Sequence, residues 1–291
     1  MAQQKYDLRA SPFFRLRTKV KLAELLRVSP KRLQEIAGLE NGYTKFQKKK
    51  KNGDARDISA PIPPLKKVQA RIADLLGRLA APDYLFAPVA GRSYVDNAAR
   101  HLGATSVRLL DIEDFFPSCT AAKVIWFFRS RMECSLDVAV IIANIATDGS
   151  ALPQGSPCSP ILAYLAYIDM WNEIESAALD AGCTLSVYAD DLTISGSKVP
   201  EAMVWDIKKT LYRHGHRYAK HKERSRHNRS AEITGVILTR DGVRPPNRQR
   251  LKLQQVREQL DIVKSGPAKS KLEAQLRGRM TQLKQIDAGN R

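Results

Sequence analysis

No Cys-x-x-Cys pair occurs in the 291 residues, and the four cysteines, Cys119, Cys134, Cys158 and Cys183, lie scattered. That argues against a zinc knuckle and offers no disulfide framework, so free thiols are expected. Nor does any apolar run approach the ~18 residues that a bilayer crossing needs. The most apolar stretch, Val138 to Ala146, is interrupted by Asn144. The opening MAQQKYDLRASPFF lacks the apolar core of a secretory signal, and no internal repeat is present. The expectation is a cytoplasmic protein without membrane association. His214, His216, His221 and His227 lack a metal-ligand spacing of known type.

Acidic residues are also scarce, with 30 Asp and Glu against 48 Lys and Arg, a formal net charge of +18. Lys198 to Arg291 holds 23 Lys and Arg against 9 Asp and Glu, a surplus of 14 in the last third. A polyanion rewards such a surface through counterion release, which a small anionic substrate does not require. The hydrophobic share of 43% with 27% charged residues is that of a folded chain, expected to form one compact unit with lobes.

Thr18 to Leu39 carries helical apolar spacing, and Ser29-Pro30 supplies a cap and first-turn proline for a second helix. KKKKNGDARDISAP then predicts a basic hairpin that turns at Asn52-Gly53, and Val68 to Ala80 resumes a helix. SVRLLDI at 106 to 112 predicts a buried strand, followed by helices to about Ala146. Ile161 to Leu179 predicts an amphipathic helix, LSVYADDLTIS at 185 to 195 two strands meeting at the acidic pair, and Glu232 to Thr239 a short strand. Basic helices finish the chain. The mixture predicts an α+β palm with helical additions.

Asp111 closes an apolar strand, and Asp190-Asp191 occupy a hairpin tip. Two adjacent strands can bring these carboxylates together, and two-metal phosphoryl transfer needs such hard oxygen ligands from separate elements. An Asp-Asp pair alone is better explained as an exposed acidic turn.

The neighbours of these residues add specificity. LLDIEDFFPS at 109 to 118, LPQGSPCSP at 152 to 160 and Tyr188-Ala189-Asp190-Asp191 follow one another in that order. With them the chain resembles the reverse transcriptases, from about Lys50 to Arg279. The resemblance implies an α+β right-hand polymerase with fingers, a palm of antiparallel sheet plus helices, and a short helical basic thumb. Its implied lobes are an N-terminal helical extension (1–48), fingers (49–101), palm with interleaved fingers helices (102–238) and thumb (239–291). Asp111 and Asp190 are then the main ligands of two Mg²⁺ ions, with Asp191 and the Ile112 carbonyl as further ligands, and deoxynucleoside triphosphates as substrates. Phe116 matches the aromatic gate against a 2′-hydroxyl, and Gln154 and Gly155 the loop against the incoming nucleotide. Lys50 or Lys51, of which Lys50 is taken, and Arg56 match the fingers residues that clamp the triphosphate, chemistry suited to an ammonium and a bidentate guanidinium. Lys222, in GHRYAKHK, matches a lysine that protonates the pyrophosphate, although His216 stands where an apolar aromatic is common.

Two segments resemble the retron group. DNAARH at 96 to 101 matches Asn-Ala-x-x-His through Asn97, Ala98 and His101, and EITGVIL at 232 to 238 matches Val-Thr-Gly with Ile233 for valine. This implies a bacterial protein whose partner is a structured noncoding RNA serving as template and primer, with a branched RNA–DNA product. A separate effector protein and an anti-phage role come with the same resemblance. Asn97, His101, Arg244, Arg248, Arg250 and Lys252 are the expected RNA contacts. A group II-like or CRISPR-associated reverse transcriptase, or a non-catalytic RNA-binding scaffold, remains open from sequence alone.

Overall fold

The computed structural model describes residues 5–49, 53, 55–263 and 265–289. Lys50, the expected triphosphate lysine, lies outside them. Two short helices, α1 (Lys19–Leu26) and α2 (Pro30–Ala37), begin where their caps dictate: Thr18 accepts from the Lys21 amide and Ser29 from that of Arg32. The hairpin of β1 (Tyr43–Lys49) and β2 (Ala55–Pro61) runs in continuous antiparallel register from Tyr43↔Pro61 to Lys49↔Ala55. Next come α3 (Pro63–Leu76), β3 (Leu85–Ala87) and α4 (Tyr94–Ala99). The last is too short to persist by propensity and is held by a capping box: Ser93 accepts from Val95 and Asp96, and Asp96 accepts from the Ser93 amide.

The central strand, β4 (Ser106–Glu113), leads into α5 (Phe115–Ser118), α6 (Ala121–Trp126), a π turn at Phe127–Arg131 and α7 (Leu136–Ala146). After α8 (Ser159–Leu165) and α9 (Ile168–Asp180), the chain forms β5 (Thr184–Tyr188), β6 (Asp191–Gly196) and α10 (Glu201–Arg213). Two short strands, β7 (Arg217–Tyr218) and β8 (Arg224–His227), complete a sheet of order β3-β5-β6-β4-β7 in which β8 also pairs with β4. On that outer edge β8 covers Ser106 to Leu109 and β7 covers Ile112 and Glu113; between them a single 3₁₀ turn, Lys220–Lys222, leaves the sheet beside Asp111.

A three-stranded antiparallel sheet follows, of β9 (Ala231–Ile233), β10 (Val236–Thr239) and β11 (Gly242–Arg244). The chain then runs into α11 (Asn247–Ile262) and α12 (Pro267–Ala288). The main core extends from Phe13 through α10, whereas Val95, Ala98, Val107, Ala231, Ile233, Val236, Leu238, Val243 and Ile286 form a second core beneath the small sheet.

Two expectations are corrected. The helix expected over Ile161–Leu179 is two, broken between α8 and α9, where the Tyr167 hydroxyl donates to the Ser118 carbonyl at 3.0 Å and its ring meets His216 at 4.3 Å. The strand expected over Glu232–Thr239 is a hairpin whose turn, Thr234-Gly235, has φ of 47° and 84°. A β-branched residue at positive φ is costly, which is why the sequence reads there as one extended run. The cost is offset because the Thr234 hydroxyl donates to the Tyr94 carbonyl at 2.9 Å.

Candidate active site

Asp111 and Asp191 are direct partners in the β4–β6 register, and Asp190 occupies the two-residue turn that joins β5 to β6. Ala189 takes the left-handed position of that turn at φ 58°, and the Ile112 amide donates to the Asp190 carbonyl at 2.9 Å, tying the tip to β4. Burial raises the pKa of Asp190, with Asp111's negative charge adding to it. Asp191 is pushed up to about 7 by burial, by the charges of Asp190 and Asp111, and by a hydrogen bond to Asp111.

Lys222 lies against the cluster, its Nζ donating to Asp111 Oδ1 at 2.7 Å. Burial works against its charge, but that bond and the three carboxylates outweigh it and hold its pKa above the ordinary lysine value. The turn carrying Lys222 is itself clamped. Glu223 accepts from Arg108 at 2.9 Å and from Lys208 at 2.8 Å, and Arg108 also bonds Glu201. Arg108, Lys208 and Glu223 are largely buried, so removing one of these three leaves the others uncompensated, and together they fix the turn that carries Lys222. No local sequence signal marks these four residues, because their pairing spans up to 115 positions.

A cavity of about 620 Å³ opens on the Asp190 side, lined by Arg56, Phe116, Gln154, Gly155, Asp190 and Lys222 among others. The structure therefore brings together all the described nucleotide-site candidates. Asp114, at φ 43°, turns the chain after β4 so that Phe115 enters the core while Phe116 stays half-buried at the cavity. The Gln154 carbonyl accepts from the Ser59 amide at 2.9 Å, docking this loop on β2. A Cβ at Gly155 (φ 128°) would stand 2.8 Å from the Ser59 carbonyl oxygen, so only glycine allows that approach. His216 is fully buried, bonded to Ser118 Oγ at 2.7 Å and packed on Phe115 and Tyr167, so it fills an aromatic's place; burial lowers its pKa to about 4.

The expected RNA contacts divide. Asn97 and His101 are corrected: both side chains are buried and engaged inside the protein. His101 bonds Ser195 Oγ through Nδ1 and Ser186 Oγ through Nε2, each at 2.7 Å, and burial, with Arg100's charge, lowers its pKa to about 3. Asn97 donates to Thr234 Oγ1 at 3.3 Å. The α4 segment thus joins the hairpin bearing the acidic pair to the Thr234-Gly235 turn, and the two retron-like motifs touch one another. Arg244 and Arg250 are exposed, and Lys252 is exposed on α11. Arg248 is held in a two-pronged ion pair by Glu232.

A palm-like sheet, antiparallel except for the edge strand β3, carrying an Asp on β4 and an Asp pair at the adjoining hairpin, is the arrangement of a nucleotidyl-transfer polymerase. The chain belongs to the reverse transcriptase (RNA-dependent DNA polymerase) family, whose model matches residues 47–238. Within that family its likeness is to the retron reverse transcriptases. It is 31% identical over 180 residues to the Retron Se72 reverse transcriptase of Salmonella heidelberg (strain 579083-10), covering 61% of this chain and 48% of that one. To the Retron Ec86 reverse transcriptase of Escherichia coli it is 33% identical over 162 residues, 55% of this chain and 50% of that one. The chain thus spans about half the length of these curated relatives. Among solved structures, that of the foamy viral protease-reverse transcriptase dRH in complex with ds DNA aligns with a TM-score of 0.46 and 16% identity, over 82% of this chain and 35% of that one. No helix among the described residues is long and apolar enough to cross a membrane.

Proposed function

We propose that this chain is an RNA-directed DNA polymerase of retron type. The observation that carries the reading is the meeting of Asp111 on β4 with Asp190 and Asp191 at the adjoining hairpin, with the Arg56–Gln154–Phe116 cavity directly beside them. The lobes proposed for it are an extension at 1–48, fingers at 49–101, palm at 102–238 and thumb at 239–291.

The acid cluster suits divalent cations chemically. Its donors are hard oxygens, and its buried like charges raise the pKa values of Asp190 and Asp191, a repulsion that a cation relieves. Among the described residues no three acidic, histidine or cysteine side chains converge on one ion position. Mg²⁺ sites of this kind do not need them to, because substrate phosphates and water complete the coordination shell. Asp111 and Asp190 would hold two Mg²⁺ ions, with Asp191 and the Ile112 carbonyl contributing; bound there, the ions acidify the attacking hydroxyl and offset charge on the leaving pyrophosphate.

The chain's own residues do the rest. Arg56, with Lys50, grips the triphosphate, the Gln154-Gly155 loop lies against the base, and Phe116 blocks space for a 2′-hydroxyl. The attacking hydroxyl releases its proton to solvent as its oxygen bonds to the α-phosphorus, the bridge to the β-phosphate breaks, and Lys222 gives a proton to the departing pyrophosphate. In the finer reading, template and primer belong to one structured noncoding RNA, synthesis starts at a 2′-hydroxyl, and a branched RNA–DNA product serves anti-phage defence with a separate effector. Its support is the pair of retron-like segments and the basic last third. Asp190→Asn tests the chemistry: extension of a primed RNA template with Mg²⁺ should fall at least about a thousandfold while RNA affinity stays within about twofold. Wild-type extension by that variant would refute the assignment. A short RNA covalently joined to DNA, copurified from the native cell, tests the finer reading.

A further inference from the structure

The ring that faces the nucleotide cavity, Phe116, sits on α5, a single turn of four residues. A helix this short does not persist by propensity, and Asp114 ahead of it makes no side-chain cap bond. Its order comes from contacts made at Ser118, its last residue. The Ser118 hydroxyl donates to the Phe115 carbonyl at 2.9 Å and meets His216 Nδ1 at 2.7 Å. The Ser118 carbonyl accepts from the Tyr167 hydroxyl at 3.0 Å, and that hydroxyl accepts from the Thr120 amide at 3.2 Å.

A hydroxyl has one proton, and Ser118 gives its own to a carbonyl, which can only accept. His216 is therefore the donor in its bond to Ser118. Burial keeps the ring neutral, so its single N–H is the one at Nδ1. Nε2 is left as a bare acceptor, buried and without a partner. Such atoms are rare in folded proteins and cost stability. A phenylalanine would fill the same space between Phe115 and Tyr167, whose rings lie 5.6 and 4.3 Å away, without that cost. What the histidine adds is the bond to Ser118. Its own place is fixed, because its amide donates to the Leu211 carbonyl at 2.9 Å and Tyr218, two residues on, pairs with Ile112 at the end of β4.

We infer that His216 is a positioning residue for sugar choice: through Ser118 it fixes the α5 turn, and so the distance at which Phe116 meets the sugar of the incoming nucleotide. The inference rests on the reading of Phe116 as the wall against a 2′-hydroxyl. A wall that excludes one oxygen has to be held within about 0.5 Å. His216 and Phe116 flank Phe115 from two sides, the Phe116 ring at 5.7 Å, so a shift of α5 reaches the cavity directly.

The experiment compares kcat/KM for matched ribonucleotides and deoxyribonucleotides on one primed template, using the full chain, with Tm read beside it. His216→Phe keeps an aromatic ring and loses the N–H. Its preference for deoxyribonucleotides should fall about three- to tenfold, the range that one neutral hydrogen bond carries. Its Tm should stay within about 3 °C of wild type or rise, whereas a residue that served packing alone would lose stability and keep the preference. Ser118→Ala breaks the same link from its other end, leaves both rings, and should lower the preference by the same factor. The double variant should lose no more than either single one. His216→Asn returns a side-chain N–H near the place of Nδ1 without the ring, and should keep the preference within about twofold of wild type although its Tm falls. The inference is overturned if either His216→Phe or Ser118→Ala keeps the wild-type preference, if their losses multiply in the double variant, or if His216→Asn loses as much as His216→Phe. Should a His216 variant not fold, Ser118→Ala decides. Phe116→Ala, measured in parallel, reports on the reading of the wall by itself. A shift there with none in the other variants refutes only the role of His216, and an unchanged preference in Phe116→Ala refutes both.

Discussion

Asp111 and Asp191 face one another as register partners across β4 and β6, hydrogen-bonded to each other while Lys222 holds the first from the outside. Two carboxyls so close cannot both ionise cheaply, so the folded protein retains a proton on Asp191 up to about pH 7, which an unfolded chain loses near 3.8. A folded state that binds the extra proton loses stability as pH rises through that interval. In metal-free protein, Asp191→Asn should therefore raise Tm at pH 8 by a few degrees, with the gain shrinking toward pH 4. Calorimetry in chelator across that range checks it; a pH-independent difference would remove the shared proton.

Phe116 is expected to act by steric exclusion, its half-buried ring standing 5.7 Å from that of Phe115 at the nucleotide cavity. Phe116→Ala should raise ribonucleotide relative to deoxyribonucleotide incorporation by about tenfold or more. Single-nucleotide extension rates for matched pairs decide, and an unchanged ratio returns Phe116 to packing.

Gly155 sits where a methyl would strike the Ser59 carbonyl. Gly155→Ala should push the loop off β2 and raise the KM for nucleotides by roughly 5- to 20-fold through a strained backbone and displaced Gln154. Affinity for primed template, read separately by anisotropy, should change by less than about twofold if the loop serves only the nucleotide.

His101→Ala would leave the Ser186 and Ser195 hydroxyls buried and unpaired, costing about 2 to 4 kcal/mol of stability. Urea unfolding should show that loss. Were His101 instead an RNA contact, the variant would bind RNA more weakly with stability intact, so the two measurements together decide between its places.

What the sequence made legible was short-range or carried by joint motifs. Alternation in SVRLLDI and in the two strands around Asp190-Asp191 placed the acidic residues on paired elements, and the caps at Thr18 and Ser29 marked the first helices. What stayed hidden was settled by distant partners. Thr234 accepts a disfavoured backbone because Tyr94 and Asn97 hold it, and Glu223 is gripped by Arg108, 115 positions away. Asn97 and His101 looked like contacts because polar residues in a short motif invite that reading; only the fold reveals that both point inward, toward the hairpins they join.

Of the 22 residues of α12, Ile286 alone is fully buried, in the second core, close to the helix's end. Gly289 fits so closely beside Val95 there that a Cβ would lie 2.4 Å from it. At 1.5 Å per residue the helix is about 33 Å long, a rod anchored in a core at one end and packed on α11 along its side. A tilt of about 5° at that anchor moves the opposite end by roughly 3 Å and carries α11, packed beside it, along. Such a tilt leaves Asp111, Asp190 and Asp191 where they are, because their strand neighbours Leu110, Ile112 and Leu192 are fixed in the main core.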